Sequence, residues 1–378
     1  MKVVVVIDSL KGSLTSMEAG EAAKAGILAA NPSATVMVKP LADGGEGTTE
    51  ALVRGMNGSL HSLEVTGPIY DKVMAQYGMI EETAVIEMAQ AAGLPLVPSE
   101  KRNPLLTTTY GVGEMIKQCI QSGCKKFIIG IGGSATNDAG LGMLMALGFK
   151  FLDSNGNEVM QGGQGLSQVV SIDETQVLPE LSSCEFKIAC DVNNPLYGEQ
   201  GAAYIYGPQK GATPEMVEAL DAGLKHFANV VAAHKEEDFS QLAGAGAAGG
   251  LGFAFTAFLG GKLESGVKII LDETRLEADL QDADIVLTGE GRLDHQTAMG
   301  KAPIGVATLA KKHGCKVIGL AGATTKEAIA CNEAGIDAYF SIVNGAMSLE
   351  EAMTPAIAYE NMKQTTQQIF NLIQSLQA

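Results

Sequence analysis

The residues with the clearest chemical potential lie in short glycine-rich segments that also carry acids, lysines or arginines. The strongest is residues 130–138, GIGGSATND, which one apolar run enters and another leaves. Glycines at such a strand-to-helix turn let the backbone approach a phosphate, whose charge is met by amide N–H groups and the helix dipole. A tight turn in which Ser134 or Asn137 merely caps a helix explains the pattern equally well. The segment is therefore a candidate anion site, with a capped turn as the equal alternative.

Acids stand beside glycines in three further segments. Residues 43–48, DGGEGT, open a predicted helix, where Asp43 and Glu46 could hold Mg²⁺ through water; a solvated first helical turn is the alternative. Asp191 ends a predicted strand and could act as a general base, although an Asp that caps a turn before Asn-Pro is commoner. Residues 288–294, TGEGRLD, follow a predicted buried strand. Open α/β sheets bind ligands at such strand ends, so we favour a site there over a salt-bridged loop.

Single lysines on glycine turns form a third group. Lys11 in residues 8–12, DSLKG, follows the first predicted strand and is a candidate clamp for an anion. Lys210 in residues 207–211, GPQKG, has a good shape for reaching a phosphate, although a lone lysine on a turn is usually solvated. The five histidines form no metal-ligand pattern. The sequence thus offers fixed positive charge beside bare backbone, as recognition of a small anion requires.

Alternating strands and helices at both ends of the chain must position these segments. The predicted strands there are Lys2–Ile7, Thr35–Val38, Asp284–Thr288, Lys316–Ala321 and one near Asp337–Val343. The predicted helices start at about Thr15 and after residue 48, span Lys301–Lys312 and Lys326–Ala334, and form the C-terminus. Short parallel strands with intervening helices predict an α/β fold with a doubly wound, Rossmann-like parallel sheet.

The middle of the chain has a different pattern. Its predicted elements are short strands within 62–87, a helix over Thr109–Gln121, a strand Lys126–Ile131, a helix from about Asn137, a helix at Thr213-Pro214-Glu215, and a helix Phe253–Leu259 after a glycine loop. We therefore predict an inserted α/β domain, residues 65–280, that splits a Rossmann-like domain formed by 1–64 plus 281–378. The active site is expected in the cleft between the two domains.

Composition limits the classes of function. The chain has 378 residues, of which 46% are hydrophobic, and a formal net charge of −17. That charge repels nucleic acids and anionic membranes, so neither is an expected partner. We expect no signal peptide and no membrane span, because no apolar stretch is long enough. The six cysteines form neither a C-x-x-C pair nor a zinc spacing, which favours reduced thiols and a cytoplasmic protein.

A dinucleotide enzyme is the main alternative. Residues 244–249, GAGAAG, fit G-x-G-x-x-G, and residues 130–135 nearly do. The first match lacks a convincing strand before it, and the second lies in the inserted domain, so both are weak in context. The P-loop pattern and the protein-kinase signatures are missing from the sequence. NAD-dependent oxidation of a small hydroxy acid therefore stays open as a rival to phosphate chemistry.

Taken in order along the chain, the segments resemble the type 1 family of bacterial glycerate kinases. The blocks that carry the resemblance are DSLKGS at 8–13, ADGGEGT at 42–48, GIGGSATND at 130–138, CDVNNPL at 190–196, GPQKG at 207–211, GAGAAGGLG at 244–252 and TGEGRLD at 288–294. Several blocks in one order are far more specific than any single one. The resemblance implies ATP-dependent phosphorylation of D-glycerate at the 2-hydroxyl, with Mg²⁺, to give 2-phosphoglycerate and ADP.

The resemblance and the residues together give a site hypothesis. The ATP phosphates are assigned to Gly132, Gly133, Ser134, Ala135, Thr136 and Asn137, helped by Lys210 and Gly246. Mg²⁺ is assigned to some of Asp43, Glu46 and Asp138. The glycerate carboxylate is assigned to Lys11 or Arg292, and the hydroxyl proton to Asp191 ahead of Asp294. A non-catalytic sensor of phosphoglycerate is a third function class, and the sequence leaves a homo-oligomer open.

Overall fold

The computed structural model describes residues 1–377, which contain thirteen strands. The strands are β1 (Lys2–Ile7), β2 (Thr35–Val38), β3 (Ser59–Thr66), β4 (Lys72–Ile80), β5 (Thr83–Glu87), β6 (Lys126–Gly130), β7 (Lys150–Leu152), β8 (Ser171–Asp173), β9 (Glu185–Ala189), β10 (Lys262–Glu264), β11 (Ile285–Leu293), β12 (Lys316–Thr324) and β13 (Ala338–Ser341). They form a five-stranded, a six-stranded and a two-stranded sheet.

Fifteen α-helices lie among the same described residues. They are α1 (Ser16–Ala30), α2 (Thr48–Gly55), α3 (Ala89–Ala92), α4 (Tyr110–Gln121), α5 (Leu141–Ala146), α6 (Ala202–Tyr206), α7 (Pro214–Lys235), α8 (Ala247–Leu259), α9 (Gly266–Glu273), α10 (Leu276–Leu280), α11 (His295–Ala298), α12 (Ala302–Lys312), α13 (Ala330–Glu333), α14 (Leu349–Met353) and α15 (Pro355–Gln377). Short 3₁₀ segments lie at Leu94–Leu96, Ser99–Lys101, Gly163–Gln168, Pro179–Ser183, Pro208–Lys210 and Lys326–Ile329.

The chain forms two compact units. The first unit comprises residues 1–43, 50–57 and the chain from 267 onward, and the second comprises 44–49 and 58–266. The α/β class predicted from the sequence is confirmed. The predicted domain division, 1–64 plus 281–378 against 65–280, stays a prediction.

The first unit is built on a parallel sheet of five strands in the order β13-β12-β11-β1-β2. Counted within this unit, the order is 2-1-3-4-5, which is that of the flavodoxin-like doubly wound sheets. The direction of the chain across the sheet reverses between β1 and β11, where Val3 pairs with Ile285 and Ile7 with Gly289. This reversal is the switch point at which such sheets bind ligands, outside the carboxyl ends of the strands.

Both faces of this sheet are covered. Val3, Val5 and Ile7 are fully buried in the core cluster that includes residues of α1 and α15. Val4 and Val6 belong to the opposite cluster, with residues of α9, α10 and α12. The continuous β-branched run of β1 follows from this, because a strand buried on both faces has no polar side. Burial of each such side chain contributes about 1.5–3 kcal/mol.

Two elements of the first unit confirm local sequence signals. Helix α1 starts after Thr15, whose hydroxyl accepts from the amide of Glu18 while the Glu18 carboxylate accepts from the amide of Thr15. This is the capping box that the spacing predicts. Strand β2 has the predicted bounds, Thr35–Val38.

Other predicted bounds in the first unit are wrong. Strand β11 does not end at Thr288 but continues to Leu293, because Glu290, Arg292 and Leu293 pair with residues of an equally extended β12. The motif 288–294 is therefore largely strand and not a loop. The predicted helix over Lys326–Ala334 is a 3₁₀ turn followed by the four residues of α13.

The second unit is built on a mixed sheet in the order β10-β9-β6-β5-β4-β3. Strands β10, β9, β6 and β5 are parallel, whereas β5, β4 and β3 form an antiparallel meander. The meander confirms the strands predicted within 62–87. Helix α7 confirms the predicted start, with Thr213 as N-cap and Pro214 in the first turn.

One predicted helix start in the second unit is wrong. Helix α5 begins at Leu141 and not near Asn137, because Ala139 (φ 48°) and Gly140 (φ 70°) take left-handed conformations that end a regular helix. Helix α8 is kinked at residues 248–250, whose φ angles are all positive, so that its regular part begins at Leu251. The predicted glycine loop followed by a helix from Phe253 is confirmed to within two residues.

Within residues 1–377, none of the helices has the length and apolar character needed to cross a membrane. All six cysteines are free thiols.

Candidate functional sites

The carboxyl ends of the four parallel strands in the second unit meet at one edge of its sheet. Glu87 ends β5, residues 130–138 begin where β6 ends, Asp191 follows β9, and Gly266 follows β10. The Asp191 Oδ1 accepts from the amide of Gly266 at 3.2 Å, which links two of these ends. The structure therefore brings the predicted phosphate loop and the predicted base to the same edge.

The loop 130–138 presents bare backbone at its start. Gly132 and Gly133 are exposed, and a Cβ on Gly132 would meet nothing within 4 Å. Gly133 has a φ of 73°, which favours glycine. Gly130 is glycine for a different reason, since a Cβ there would lie 2.3 Å from the carbonyl oxygen of Gly44. The segment 44–49 thus packs directly on the end of β6.

Lys210 is buried and not solvated. Its side chain is 2% exposed, and its Nζ donates to the Ser134 hydroxyl at 2.7 Å and to the Thr136 carbonyl at 2.6 Å. Burial lowers the pKa of Lys210 to about 7, against an opposing effect of the Asp138 charge. These two hydrogen bonds join Lys210 to the loop 130–138, to which the sequence hypothesis also assigns it.

Polar groups beside Lys210 have no partner among the described residues. Both the amide nitrogen and the amide oxygen of Asn137 are buried without a hydrogen bond, as is the hydroxyl of Thr136. Buried polar atoms are nearly always bonded, to protein or to water. Thr136, whose carbonyl Lys210 contacts, and its neighbour Asn137 therefore carry hydrogen-bonding atoms that water or a polar ligand would satisfy.

Asp138 has a positional role. Its Oδ2 accepts from the amide and hydroxyl of Thr109, both at 2.9 Å, and its Oδ1 from the amide of Gly140 at 3.1 Å. Burial raises its pKa despite these bonds. Both oxygens therefore have structural partners, and the Mg²⁺ role of Asp138 stays a prediction.

The other second-unit candidates differ in their surroundings. Glu46 is exposed in the segment 44–49. The amide of Gly246 is already engaged by the carbonyl of Asn194 at 2.9 Å, so it is not a free donor for a phosphate. Glu87, which sequence reasoning missed, is 7% exposed and accepts from the amide of Thr49 at 2.9 Å. Burial raises the pKa of Glu87.

The first unit contains a pocket of about 800 Å³ at the carboxyl edge of its sheet. Residues that follow β1, β2, β11, β12 and β13 line it, so it lies across the switch point. Its charged lining residues are Asp8, Lys11, Asp43, Glu290, Arg292, Asp294 and Lys301. The predicted residues Lys11, Asp43, Arg292 and Asp294 are therefore together.

Three carboxylates in this pocket repel one another. Asp8 is 7% exposed, and burial, with the charges of Asp43 and Glu290, raises its pKa to about 7. An amide N–H from Ser9, at 2.7 Å from Oδ1, opposes this. Burial also raises the pKa of Glu290, whose Oε1 accepts from Thr297 at 2.6 Å. A cation or a proton is the natural counterpart of such a cluster.

Cationic side chains face these acids at longer range. Lys11 Nζ lies 4.0 Å from Asp43, and Lys301 Nζ lies 4.0 Å from Glu290. Such distances are those of loose ion pairs, whose members can turn to a ligand.

Asp294, the second predicted base, is the N-cap of α11. Its Oδ1 accepts from the amides of Gln296 and Thr297, at 2.9 and 3.2 Å. Arg292 Nε lies 3.7 Å from its other oxygen. A capping role is thus established for Asp294, and the proton-transfer role stays a prediction.

Sequence reasoning missed Asp8, Glu290 and Lys301. Asp8 and Glu290 belong to two of the identified motifs, for which the sequence predicts Lys11, Arg292 and Asp294 as the site residues. Their position in the sequence could have identified them, because residues at the carboxyl end of a parallel strand lie at the edge where such sheets bind ligands. Within residues 1–377, no group of three or more His, Cys, Asp or Glu side chains is arranged to hold a metal ion.

The fold and both sites define an α/β protein with candidate ligand sites at two sheet edges, and comparison with known proteins gives its family. The sequence model of the glycerate kinase family matches residues 3–374. Glycerate kinase of Bacillus subtilis strain 168 is 47% identical, and glycerate 2-kinase of Escherichia coli K12 is 46% identical, each over 98% of this chain and 97% of the relative. The chain belongs to the glycerate kinase family and is an enzyme of the kinase class.

A solved structure agrees. The crystal structure of a protein assigned as glycerate kinase 2 from Salmonella typhimurium LT2 superimposes with a TM-score of 0.93 at 46% identity, covering 100% of this chain and 99% of the other. The dehydrogenase alternative has no support, since residues 244–249 follow a helix and a turn rather than a strand and bend through left-handed conformations.

Proposed function

We propose that this enzyme transfers the terminal phosphoryl group of ATP to the 2-hydroxyl of D-glycerate, giving 2-phosphoglycerate and ADP. Membership of the glycerate kinase family supports the substrate. The relative from Escherichia coli K12 that is named glycerate 2-kinase supports the position of transfer.

The observation that carries the proposal is the charge pattern of the first-unit pocket. Phosphoryl transfer needs the reactants positioned and the phosphate charge neutralised, with little covalent work by the protein. Lys11, Arg292 and Lys301 supply mobile positive charge, and Asp8, Asp43 and Glu290 supply carboxylates at the same switch point. A pocket for a hydrophobic ligand would not gather so many charges of both signs.

The same carboxylates fit Mg²⁺. Hard carboxylate oxygens suit this ion, which usually takes only one or two protein ligands beside water and substrate phosphates. One or two of Asp8, Asp43 and Glu290 would hold it, because the mutual repulsion of these carboxylates favours a cation beside them. When bound, Mg²⁺ neutralises charge on the phosphate oxygens. Of the residues predicted for Mg²⁺, Asp43 belongs to this cluster.

The proton of the substrate hydroxyl is assigned to Asp191. This side chain is exposed at the carboxyl edge of β9, and the Gly266 amide holds its Oδ1. An exposed carboxylate can accept a proton as the hydroxyl attacks. The location of transfer in a cleft between two domains stays a prediction, as does a homo-oligomer. The free cysteines agree with a cytoplasmic enzyme, which we also propose.

A coupled assay tests the function. Purified enzyme with ATP, Mg²⁺ and D-glycerate is followed for ADP, with omission of D-glycerate and replacement by L-glycerate as controls. We expect ADP release that requires D-glycerate. ADP release independent of the acid, or none at all with D-glycerate, would exclude the proposal; tight binding of phosphoglycerate without turnover would indicate the sensor instead.

A further inference from the structure

The first-unit pocket has a second, uncharged part. An apolar wall is formed by Ile342, Val343, Met347, Leu349 and Met353, at the end of β13 and along α14. Leu349 is 75% exposed, which is unusual for a large aliphatic side chain that lines a pocket. An exposed apolar surface inside a concave site is a common mark of ligand binding.

The wall is built before any ligand arrives. The side-chain nitrogen of Asn344 donates to the backbone carbonyl of Asn361 in α15 at 3.4 Å. The side-chain oxygen of Asn344 accepts from the Thr365 hydroxyl at 2.9 Å. Ser348 and Glu351 form a capping box at the start of α14. The segment 343–353 is therefore held in place by bonds of its own, and the wall costs little to order on binding.

The two parts of the pocket come from different strands. The acids and Lys11 lie at the carboxyl ends of β1, β2 and β11, whereas the wall follows β13. Gly322, Ala323 and Thr324 of β12 also line the pocket. The apolar and charged parts meet at Gly12, where a Cβ would lie 2.8 Å from the terminal methyl of Met353. The pocket therefore combines an apolar surface with a charged one.

The size of the pocket excludes the small acid as its sole occupant. A volume of about 800 Å³ lies within the range of about 300–1,000 Å³ typical of ligands of drug or cofactor size. D-glycerate has three carbons and no apolar surface for the wall. An extended ligand with an aromatic base at one end and phosphates at the other fits both parts.

We propose that the first-unit pocket is the nucleotide site, with the base and ribose against the apolar wall and the phosphates toward Lys11, Arg292 and Lys301. This rests on the proposed function, which makes ATP a substrate, and it revises the hypothesis that the loop 132–137 holds the ATP phosphates.

Direct binding of ADP to wall variants tests this assignment. The double variant Met347→Ala/Leu349→Ala removes two wall side chains, and Leu372→Ala/Leu376→Ala is the matched control, because both leucines are exposed on α15 outside the pocket. By calorimetry we expect the wall variant to bind ADP about tenfold more weakly. The control should bind as the unchanged enzyme does, and the KM for D-glycerate should change little in either. Unaltered ADP affinity of the wall variant, with its melting temperature preserved, would overturn the proposal.

Photolabelling with 8-azido-ATP provides a test that needs no substitution. We expect the label on a peptide within 341–353, and protection by excess ADP. A label confined to the peptide that carries 130–138 would overturn the assignment and restore the earlier hypothesis. Neither experiment requires turnover, so an enzyme that fails the ADP-release assay with D-glycerate would sink the proposed function while the site assignment is judged separately.

Discussion

Lys210 donates from its Nζ to the Ser134 hydroxyl at 2.7 Å, although the two residues are 76 positions apart in the sequence. The same nitrogen reaches the Thr136 carbonyl. One buried amine therefore ties the turn 207–211 to the loop 130–138, in which the side chain of Asn137 has no hydrogen bond. Two motifs that look independent in the sequence form one centre.

The burial of Lys210 predicts that the stability of the protein depends on pH. Because the folded-state pKa of Lys210 is lowered from 10.5 to about 7, the unfolded chain binds more protons between those two values. Stability should therefore rise with pH through that window, by about 1.4 kcal/mol per pKa unit. The variant Lys210→Met lacks this gain. We expect the free energy of unfolding, measured in urea from pH 6 to 10, to rise more steeply for the unchanged enzyme.

Lys72→Met removes an exposed lysine of the same unit and is the control for loss of a charge. If the curves of Lys210→Met and the unchanged enzyme run parallel over this range, the lysine is not held neutral by burial, and the account of this centre is wrong.

Asp8 gives the opposite dependence. Its pKa is raised from 3.8 to about 7, so the folded state binds more protons between those values and stability should fall as pH rises through them. Asp8→Asn removes this penalty and should be the more stable protein above pH 7 by a few kcal/mol, at about 1.4 kcal/mol per pKa unit. Thermal unfolding from pH 4 to 8 measures the difference.

Mg²⁺ should change that comparison. At pH 8 we expect Mg²⁺ to raise the melting temperature of the unchanged enzyme, because an ion that binds the folded state stabilises that state. The melting temperature of Asp8→Asn should rise much less, because this variant lacks one of the proposed carboxylates. Asp272→Asn, an exposed acid of the same unit, should respond as the unchanged enzyme does. Equal responses of all three proteins would remove Asp8 from the metal-holding cluster.

Substitution of Asp191 tests the proton acceptor. Asp191→Asn keeps an acceptor for the Gly266 amide but cannot take a proton, so turnover should fall by about a hundredfold or more while folding is kept. Asp153→Asn, a partly exposed acid on a turn of the same unit, is the matched control. Near-normal turnover of Asp191→Asn, with an unchanged circular dichroism spectrum, would show that Asp191 is not the proton acceptor.

Gly249 tests the packing that shapes the loop 130–138. It has a φ of 72°, and a Cβ there would lie 2.1 Å from the carbonyl oxygen of Thr136. Gly249→Ala should therefore cost more than about 2 kcal/mol in urea unfolding. Gly260→Ala, with a φ of 61° but nothing within 4 Å, should cost only about 1–2 kcal/mol. Equal losses would show that the start of α8 does not press on the loop.

Much of the fold could be predicted from local sequence. The unbroken apolar run of β1, the capping box at Thr15 and the proline after Thr213 each act within a few residues, and each is confirmed. The start of α5 could not be predicted, because an alanine at position 139 does not indicate a left-handed backbone conformation. The extension of β11 to Leu293 depends on β12 alongside it.

The same distinction holds for the sites. Glycine-rich segments at strand ends could be found from residue type alone, and the structure gathers them at two sheet edges. The raised pKa of Asp8 comes mainly from burial and then from Asp43, and Glu290 adds to it because the parallel pairing of β1 with β11 brings it near. The burial of Lys210 likewise depends on tertiary packing, and a solvated lysine was the ordinary expectation.

Phosphorus NMR of the product tests the proposed reaction most directly. Enzyme, ATP, Mg²⁺ and D-glycerate should give a new phosphomonoester signal split into a doublet, because a phosphate on the 2-hydroxyl couples to the single proton of that carbon. The signal should grow in step with ADP. A triplet, from a phosphate beside the two protons of the terminal carbon, or no new ester while ATP is consumed, would contradict the proposed transfer.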